Sequence, residues 1–393
     1  MSEWVNRKLR EVGTLERGRS RHRPRYAFHL YNGPYPFIQT GEVRAASKYI
    51  NSYENTYSED GLKQSKLWPK GTLCITIAAN IAELAILDFD ACFPDSVLGF
   101  LPDTTKTSVD FVFYTLSHYQ KTLKHIGEGS VQDNINLGTF ENIEFPFPPI
   151  SEQKAIASVL SALDDKINLL HRQNKTLESM AETIFRKWFI EEPQEEWDTV
   201  PLSKVATFTN GLACQKFPAI SGEPSMPVLK IKELSSGISS NTDLATANIK
   251  EDYIVNHGDV IFAWSASLMV KIWSGPVCVL NQHLFKVTSD TYPKWFYLEW
   301  CKHYLKEFIS ISQSHATTMG HIKRKDLDEA MVKIPSNNEL VNMTAEIGPL
   351  LDQRIEKMRQ IRTLETLRDT LLPKLMSGDV RVQYAEEAIA SVA

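Results

Sequence analysis

The chain has 393 residues, 42% of them apolar and 23% charged, and a formal net charge of -5. That is enough material for two ordinary domains and their connections. The acidic balance excludes a protein that coats nucleic acid by bulk charge, although local basic patches remain compatible with phosphate contact. Five isolated cysteines (Cys74, Cys92, Cys214, Cys278, Cys301) form no CxxC pair and have no histidines at metal spacing, so they read as buried thiols of a reducing compartment. Met1-Ser2-Glu3-Trp4 opens no signal peptide and no apolar run approaches a bilayer span, so a cytoplasmic protein is expected.

In chain order, residues 1 to about 50 are the markedly basic region: Arg7, Lys8 and Arg10, then Arg17, Arg19, Arg21, Arg23 and Arg25 at alternate positions. Period-two spacing puts these five on one face of a strand, or makes a cationic arm if the segment is a loop. A charged loop balanced by the acidic surface of residues 51 to 150 is the competing reading. Tyr35 to Val43 reads as a short strand entering a turn, matched later by Met226 to Leu234. Gly71 to Ala79 and Val260 to Ser267 read as equivalent β-branched strands, followed by apolar strands at Leu84 to Phe89 and Val277 to Leu280. Polar segments come next (Asp95, Ser96; Asn281, Gln282, His283), then helices over Val109 to Lys124 and Lys294 to Ile309. Polar loops at Gly127 to Asn134 and Ser314 to Gly320 lead into a last strand that ends in proline.

The dominant element is Ser151 to Ile190. Ile156, Leu163, Leu170, Leu177 and Ile184 recur every seventh residue, and Leu160, Ile167, Asn174, Ala181 and Trp188 complete an a/d stripe. The spacing predicts a helix of about 60 Å that lies against another long helix, with Ser151 as N-cap. Asn174 either fixes its register as a lone buried amide or sits at the edge of the stripe. A partner helix over about Asn338 to Met376 carries Leu351, Ile355, Met358, Ile361, Leu364, Leu367, Leu371 and Leu375, with a break expected at Gly348-Pro349 and a kink at Pro373.

A shift of 187 residues places Arg172-Gln173-Asn174-Lys175-Thr176-Leu177-Glu178 on Arg359-Gln360-Ile361-Arg362-Thr363-Leu364-Glu365, and Gly71, Ile135 and Pro148 on Gly258, Ile322 and Pro335. A slightly different shift pairs Trp4, Leu9, Val12, Thr14 and Gly18 with Trp197, Leu202, Val205, Thr207 and Gly211. The chain is therefore a tandem duplication. The expected fold class is α+β: two tandem α/β domains separated by a pair of long antiparallel coiled-coil helices, as a pseudo-twofold internal repeat. The expected domains are 1–150, a first helix 151–192, 193–336, a second helix 337–378, and a tail 379–393.

Catalytic signatures are missing: no GxxxxGK[ST], GxGxxG, HExxH or GxSxG occurs. Pro102-Asp103 with Lys106 is too loosely spaced for a nuclease cluster, and Phe147-Pro148-Pro149 lacks the Asn or Asp that precedes Pro-Pro in adenine methyltransferases. Recognition remains. Two related domains rich in hydroxyls, amides, His and Arg, held on a helical pair, suit an extended ligand such as duplex DNA, read as two half-sites.

The run Phe145-Pro146-Phe147-Pro148-Pro149-Ile150-Ser151-Glu152-Gln153-Lys154-Ala155-Ile156, and Leu364 to Gly378 at the other end, resemble the two central repeat regions of Type I restriction-modification specificity subunits. Gly258 to Ser265 and Val279 to Val287 resemble segments of that family's target recognition domains. The entry to the second helix, Pro335-Ser336-Asn337-Asn338-Glu339, departs from the family's Pro-Pro and Glu-Gln pattern. The resemblance implies a non-catalytic subunit that reads an interrupted, asymmetric DNA sequence. It implies that the helices dock two methyltransferase subunits, which bind S-adenosylmethionine and methylate adenine, and that a restriction subunit using ATP and Mg joins them. No cofactor is expected in this chain itself.

The DNA-contact candidates are Arg17, Arg19, Arg21, Arg23, Gln39 and Thr40 in the first half, and Gln215, Lys216, Lys230, Lys232, Ser265, Ser267, His315, Thr317 and His321 in the second. For each alone, a solvated loop residue or a satisfied structural polar group is the competing reading. Candidates for partner docking are Arg172, Gln173, Arg186, Arg359 and Arg368, with Trp188 better placed in a core. A protein-binding coiled-coil scaffold and a DNA-binding regulator acting alone are the alternatives.

Overall fold

The computed structural model describes residues 4–128, 135, 137–314 and 320–382. It divides into two units, Met1–Asn168 with Leu364–Ala393, and Leu169–Thr363. No helix among the described residues is long and apolar enough to cross a membrane.

In the first unit a five-stranded sheet runs Gly13–Arg17, Val97–Pro102, Leu73–Thr76, Leu84–Leu87, Tyr49–Ile50 in spatial order. A four-stranded sheet runs Asn55–Tyr57, Tyr31–Phe37, Ala91–Cys92, Leu67–Trp68, and Val5–Arg7 pairs with Phe145–Phe147. Every residue of Leu73–Thr76 and of Leu84–Leu87 is buried, which is why these strands read as continuous apolar runs. The helix Val109–Glu128 contributes the buried Phe111, Val112, Leu116 and Leu123 to this unit's core.

The second unit repeats the plan. Thr207–Asn210, Leu284–Thr288, Val260–Ala263 and Met269–Ile272 form one sheet, and Leu244–Thr246, Ser225–Leu229, Cys278–Leu280 and Ile254–Val255 the other, with Asp198–Pro201 paired to Met331–Ile334. The order matches strand for strand, except that the first unit adds Tyr49–Ile50. The one parallel pairing inside each four-stranded sheet is also shared: Phe37 faces Cys92, and Val228 faces Val279. The counterpart of Leu84–Leu87 is thus Met269–Ile272, not Val277 to Leu280. That strand alternates buried and exposed residues around Lys271, so it lacks the unbroken apolar run by which its partner is recognised.

The duplication extends to backbone detail. Gly71 and Gly258 both take positive φ, +84° and +88°, and Ala79 and Ala266 are both left-handed at +65° and +57°. A Cβ on Gly18 would stand 2.3 Å from the carbonyl of Pro94, and one on Gly211 would stand 2.3 Å from that of Asn281. Both glycines are needed for the same close approach of two chain segments.

The two long helices span Ile150–Arg186 and Asn337–Met376. The first begins one residue before the expected N-cap. Ser151 lies within the first turn, and the Pro149 carbonyl accepts the amides of Glu152 and Gln153. The buried Gln153 side chain explains this start: its amide donates to the Pro148 and Lys106 carbonyls while its oxygen accepts from the Thr107 hydroxyl at 2.8 Å. After Arg186 the chain widens into a π turn, Lys187–Glu191, which buries Phe189 among Phe185, Trp197, Trp295, Phe296 and Trp300. Trp188 is half-buried against the same core.

The second helix does not break at Gly348-Pro349, and it continues through Pro373. Proline removes a single backbone bond. Burial of Met343, Ile347 and Leu351 on one face holds the turns on both sides of Pro349, as does a chain of bonds from the Trp295 indole to the Thr344 hydroxyl (3.0 Å) and on to the Leu340 carbonyl (2.6 Å).

The pair is antiparallel. In the second unit Lys357 donates to Gln173 at 2.8 Å and Arg354 meets Glu178 at 2.9 Å, so one helix ascends as the other descends. In the first unit Arg368 meets Asp164 at 3.0 Å. Ile156, Leu160, Leu163, Ile167, Leu170 and Ala181 of the heptad stripe are buried, as are Leu351, Ile361, Leu364, Leu371 and Leu375 opposite. Asn174 is half-buried, and its amide oxygen is sealed from solvent without a hydrogen-bond partner among the described residues, as expected of a polar group kept in a seam at some expense of stability.

Candidate nucleic-acid interface

In the first unit the strand Gly13–Arg17 ends at the first candidate arginine, so the arginine run is neither a strand face nor a loose arm. Residues 18 to 27 form a loop tied to the sheets. The Gly18 amide donates to the Val97 carbonyl and that of Arg19 to the Phe93 carbonyl, the Ser65 hydroxyl donates to the Arg19 carbonyl, and the His22 amide reaches Gln64. Alternation holds as burial: Gly18 and Ser20 are buried, while Arg17, Arg19, Arg21, Arg23 and Arg25 are exposed. Three of the five are engaged locally. Arg17 donates to the Asp95 carbonyl, Arg23 to the carbonyls of Ser20 and His22, and Arg25 to both oxygens of Asp95 at 2.8 and 3.2 Å. Arg19 and Arg21 meet no carboxylate among the described residues at salt-bridge distance.

Gln39 and Thr40 open the short helix Thr40–Ala45, where the Gln39 amide donates to Glu42 at 3.1 Å. Both line a cleft of about 300 Å³, with Ser20, Arg25, Tyr26, the left-handed Ala79, and Ser96. The arginine loop and the Gln39 turn therefore converge on one concavity.

The second unit builds the same frame with other side chains. Lys230 takes the place of Gln39, at the N-cap of Ile231–Ser236, with φ and ψ of -103° and 179° against -112° and 178°. Its ammonium pairs with Asp243, a bond that holds Lys230 above its ordinary range and Asp243 below. Lys232 is exposed two residues on, in the helix's first turn, and Gln215 and Lys216 are exposed in the short helix Cys214–Lys216. Ser265 is buried beside the left-handed Ala266, and its hydroxyl lies 3.1 Å from His283 Nδ1. Ser267 is exposed. Half-buried His321 forms a β-bridge with Ser265 and stacks edge-on against Trp264. His315 and Thr317 lie outside the described residues.

The structure adds neighbours that the candidate residues did not include. The His283 ring joins Ser265 to Gln282, which lies 3.4 Å from its Nε2, while the adjacent Trp264 indole donates to Asn210 at 3.3 Å. The run Asn281-Gln282-His283 was the available signal, but proximity to Ser265 arises only through sheet pairing. At corresponding positions of the frame, the first unit carries Ala78, Asp95 and Ser96 where the second carries Ser265, Gln282 and His283. The scaffold is common and the polar lining is not.

Of the docking candidates, Arg172 is exposed, and Arg186 and Arg359 pair with Glu191 and Glu356, each at 2.9 Å. Gln173 is taken by Lys357, and Arg368 by Asp164 and Asp369. The second unit's long-helix segments are fixed to its helix Lys294–Ser314 by a charge cluster that is buried at Glu299 and Arg354, half-buried at Lys302 and open to solvent at Glu182. Lys302 contacts Glu178, Glu182 and Glu299 at 2.5, 3.0 and 3.5 Å, and Arg354 shares Glu178. Burial pushes the Glu299 carboxyl up to about 7, against the pull of Lys302. Burial also opposes ionisation of Glu178, but Lys302 and Arg354 outweigh it and hold that carboxyl below its usual range.

No group of three His, Cys, Asp or Glu side chains among the described residues could hold a metal ion. All five cysteines are buried, and burial pushes the Cys92 thiol up to about 11 and that of Cys278 to about 12, away from nucleophilic chemistry.

Comparison with known proteins agrees with this arrangement. The family model described as Type I restriction modification DNA specificity domain matches twice, over residues 1–179 and 194–365. The Type I restriction enzyme MjaIX specificity subunit of Methanocaldococcus jannaschii is 26% identical over 97% of this chain and 94% of its own length. The EcoKI specificity subunit of Escherichia coli is 23% identical over 74% of this chain and 67% of its own. The crystal structure of a Type I restriction-modification S subunit from M. genitalium superposes with a TM-score of 0.60 at 18% identity, covering 95% of this chain and 96% of that one, a likeness of fold.

Proposed function

The chain belongs to the family of Type I restriction-modification DNA specificity subunits, and we propose that each of its units reads one half of an interrupted, asymmetric DNA site. The observation that carries this reading is a repeated frame with unlike linings: Gln39 against Lys230 at the same N-cap, and Ala78 and Ser96 against Ser265 and His283 around the same turn. An amide offers a donor and an acceptor to a base edge, and an ammonium offers donors alone, so two identical scaffolds select different bases. The recognition domains are 1–150 and 193–336; the helices 151–192 and 337–378 set the spacer and dock two methyltransferase subunits, and 379–393 is a tail. Arg19 and Arg21, exposed and with no carboxylate at salt-bridge distance among the described residues, are the first unit's phosphate contacts, and Lys216 and Lys232 the second's.

The chain itself is non-catalytic. Adenine methylation and S-adenosylmethionine belong to the methyltransferase subunits, and ATP and Mg to a restriction subunit where one joins. The net charge of -5 fits a subunit that shares its phosphate contacts with such partners. The test is co-expression with the methyltransferase subunits and mapping of methylated adenines in wild type and Lys230→Ala. Relaxed or lost recognition confined to one half-site is expected, with a discrimination loss of about 1–3 kcal/mol. An unchanged methylation map removes Lys230 from base reading.

A further inference from the structure

One loop of the first unit displays aromatic rings where proteins ordinarily bury them. Tyr26 is 81% exposed and Phe28 84%, the highest values among the exposed large apolar side chains of the described residues. The display is not slackness. Arg25 is clamped on Asp95, the Tyr31 hydroxyl donates to the Arg25 carbonyl at 3.1 Å, and the Ser58 hydroxyl donates to the His29 carbonyl at 2.6 Å. Phe28 opens a short 3-10 turn whose next residue but one, Leu30, is anchored in the core. The rings are therefore held out by a rigid base, on a loop that also presents Arg19 and Arg21. The matching segment of the second unit presents no such ring: Phe217 is half-buried, and Ile220 is only 52% exposed.

We propose that residues 18–28 form a wedge that enters the DNA minor groove, with Phe28 inserted between adjacent base pairs of the half-site read by the first unit. The inference rests on the DNA-reading role above. Tyr26 packs on the sugar edge beside it, and Arg19 and Arg21 hold the flanking phosphates. Apolar side chains inserted in this way unstack a base step and kink the duplex, and the bend lets more of the protein meet the DNA. Pyrimidine–purine steps deform most easily, so part of the first half-site's specificity comes from flexibility rather than from hydrogen bonds. The second unit, without the ring, leaves its half-site stacked.

The test uses the chain assembled with its methyltransferase subunits, on duplexes carrying its mapped site with 2-aminopurine placed singly at positions other than the methylated adenines. A severalfold fluorescence rise is expected at one step in one half-site. Phe28→Ala abolishes that rise and weakens binding on the order of tenfold, while Phe28→Leu keeps most of both. Because Phe28 is almost wholly solvent-exposed, the alanine variant melts with the wild type, which circular dichroism checks. Specific binding without any unstacked step overturns the wedge and leaves the DNA-reading role intact. Absence of specific binding by the wild-type complex overturns that role itself. Phe28→Ala that loses a methyltransferase subunit but no unstacking makes the loop a protein contact and also overturns the wedge.

Discussion

Replacing Arg368 by alanine tests how the first unit holds its share of the helix pair. The guanidinium lies 3.0 Å from Asp164, whose side chain is 11% exposed, and Asp164 also accepts the Tyr114 hydroxyl at 2.6 Å. Through Tyr114 and Ser161 the bond joins a buried network that ends on Lys48, which is 1% exposed and paired to Asp110 at 2.8 Å. Removing one partner of a well-buried ion pair costs about 3–5 kcal/mol, because the remaining charge is left uncompensated. Here the arginine side chain is 30% exposed and Asp164 keeps Tyr114, so about 2 kcal/mol is expected. For a unit of this size that lowers Tm by roughly 4–8 °C. A double-mutant cycle with Asp164→Asn, read by urea denaturation, should return a coupling above about 1 kcal/mol. Additive single effects, with coupling within about 0.3 kcal/mol, would refute the network argument. Because Arg368 was also a candidate for partner docking, pull-down of the methyltransferase subunit by Arg368→Ala separates the two roles.

Two further outcomes follow from burial. Glu299 holds its proton to about pH 7 in the folded chain against 4.5 for an ordinary glutamate, so folding is favoured while it is protonated, and stability falls as pH rises from about 4.5 through 7. The span amounts to about 3 kcal/mol; in Glu299→Gln the pH 5 to pH 8 difference in urea unfolding should shrink by that order, and an unchanged difference would sink the assignment. Ile347, fully buried beside Gly348-Pro349, should cost about 3 kcal/mol as alanine and lower the urea midpoint of the second unit. A loss under about 1 kcal/mol would mean that the burial of this face does not hold the helix together across Pro349.

The fold was legible where sequence periodicity and spatial periodicity coincide. Heptads along Ile156 to Ile184 read directly as a buried helical seam, and the paired Gly71/Gly258 and Gly18/Gly211 marked the duplication, although the close approach that Gly18 and Gly211 each allow is visible only in the fold. Legibility failed where a distant contact overrides a local signal. Gly348-Pro349 carries every local mark of a helix break, but Ile347 and Leu351 are captured by the core of another segment. Met269–Ile272 was missed because a half-exposed strand with a lysine in it carries too little apolar pattern. For the candidate interface, the arginine run was visible as charge, but its tethering by Asp95, Ser65 and Gln64 depends on residues 42 to 78 positions away. Nothing in Tyr26 or Phe28 as letters distinguishes a ring in the core from one held out to solvent.

The first unit is assembled from both ends of the polypeptide: Met1–Asn168 is completed by Leu364–Ala393, and Leu364, Leu371, Leu375 and Met376 are all buried there. The second unit is one uninterrupted stretch. On a ribosome, the earlier-made module must wait with an uncovered apolar seam while the later one is translated and closes. Premature termination between Asn168 and Leu364 would strand the opening half of the protein in that unfinished state, a target for chaperones and proteases, even though all of its own strands had already been synthesised.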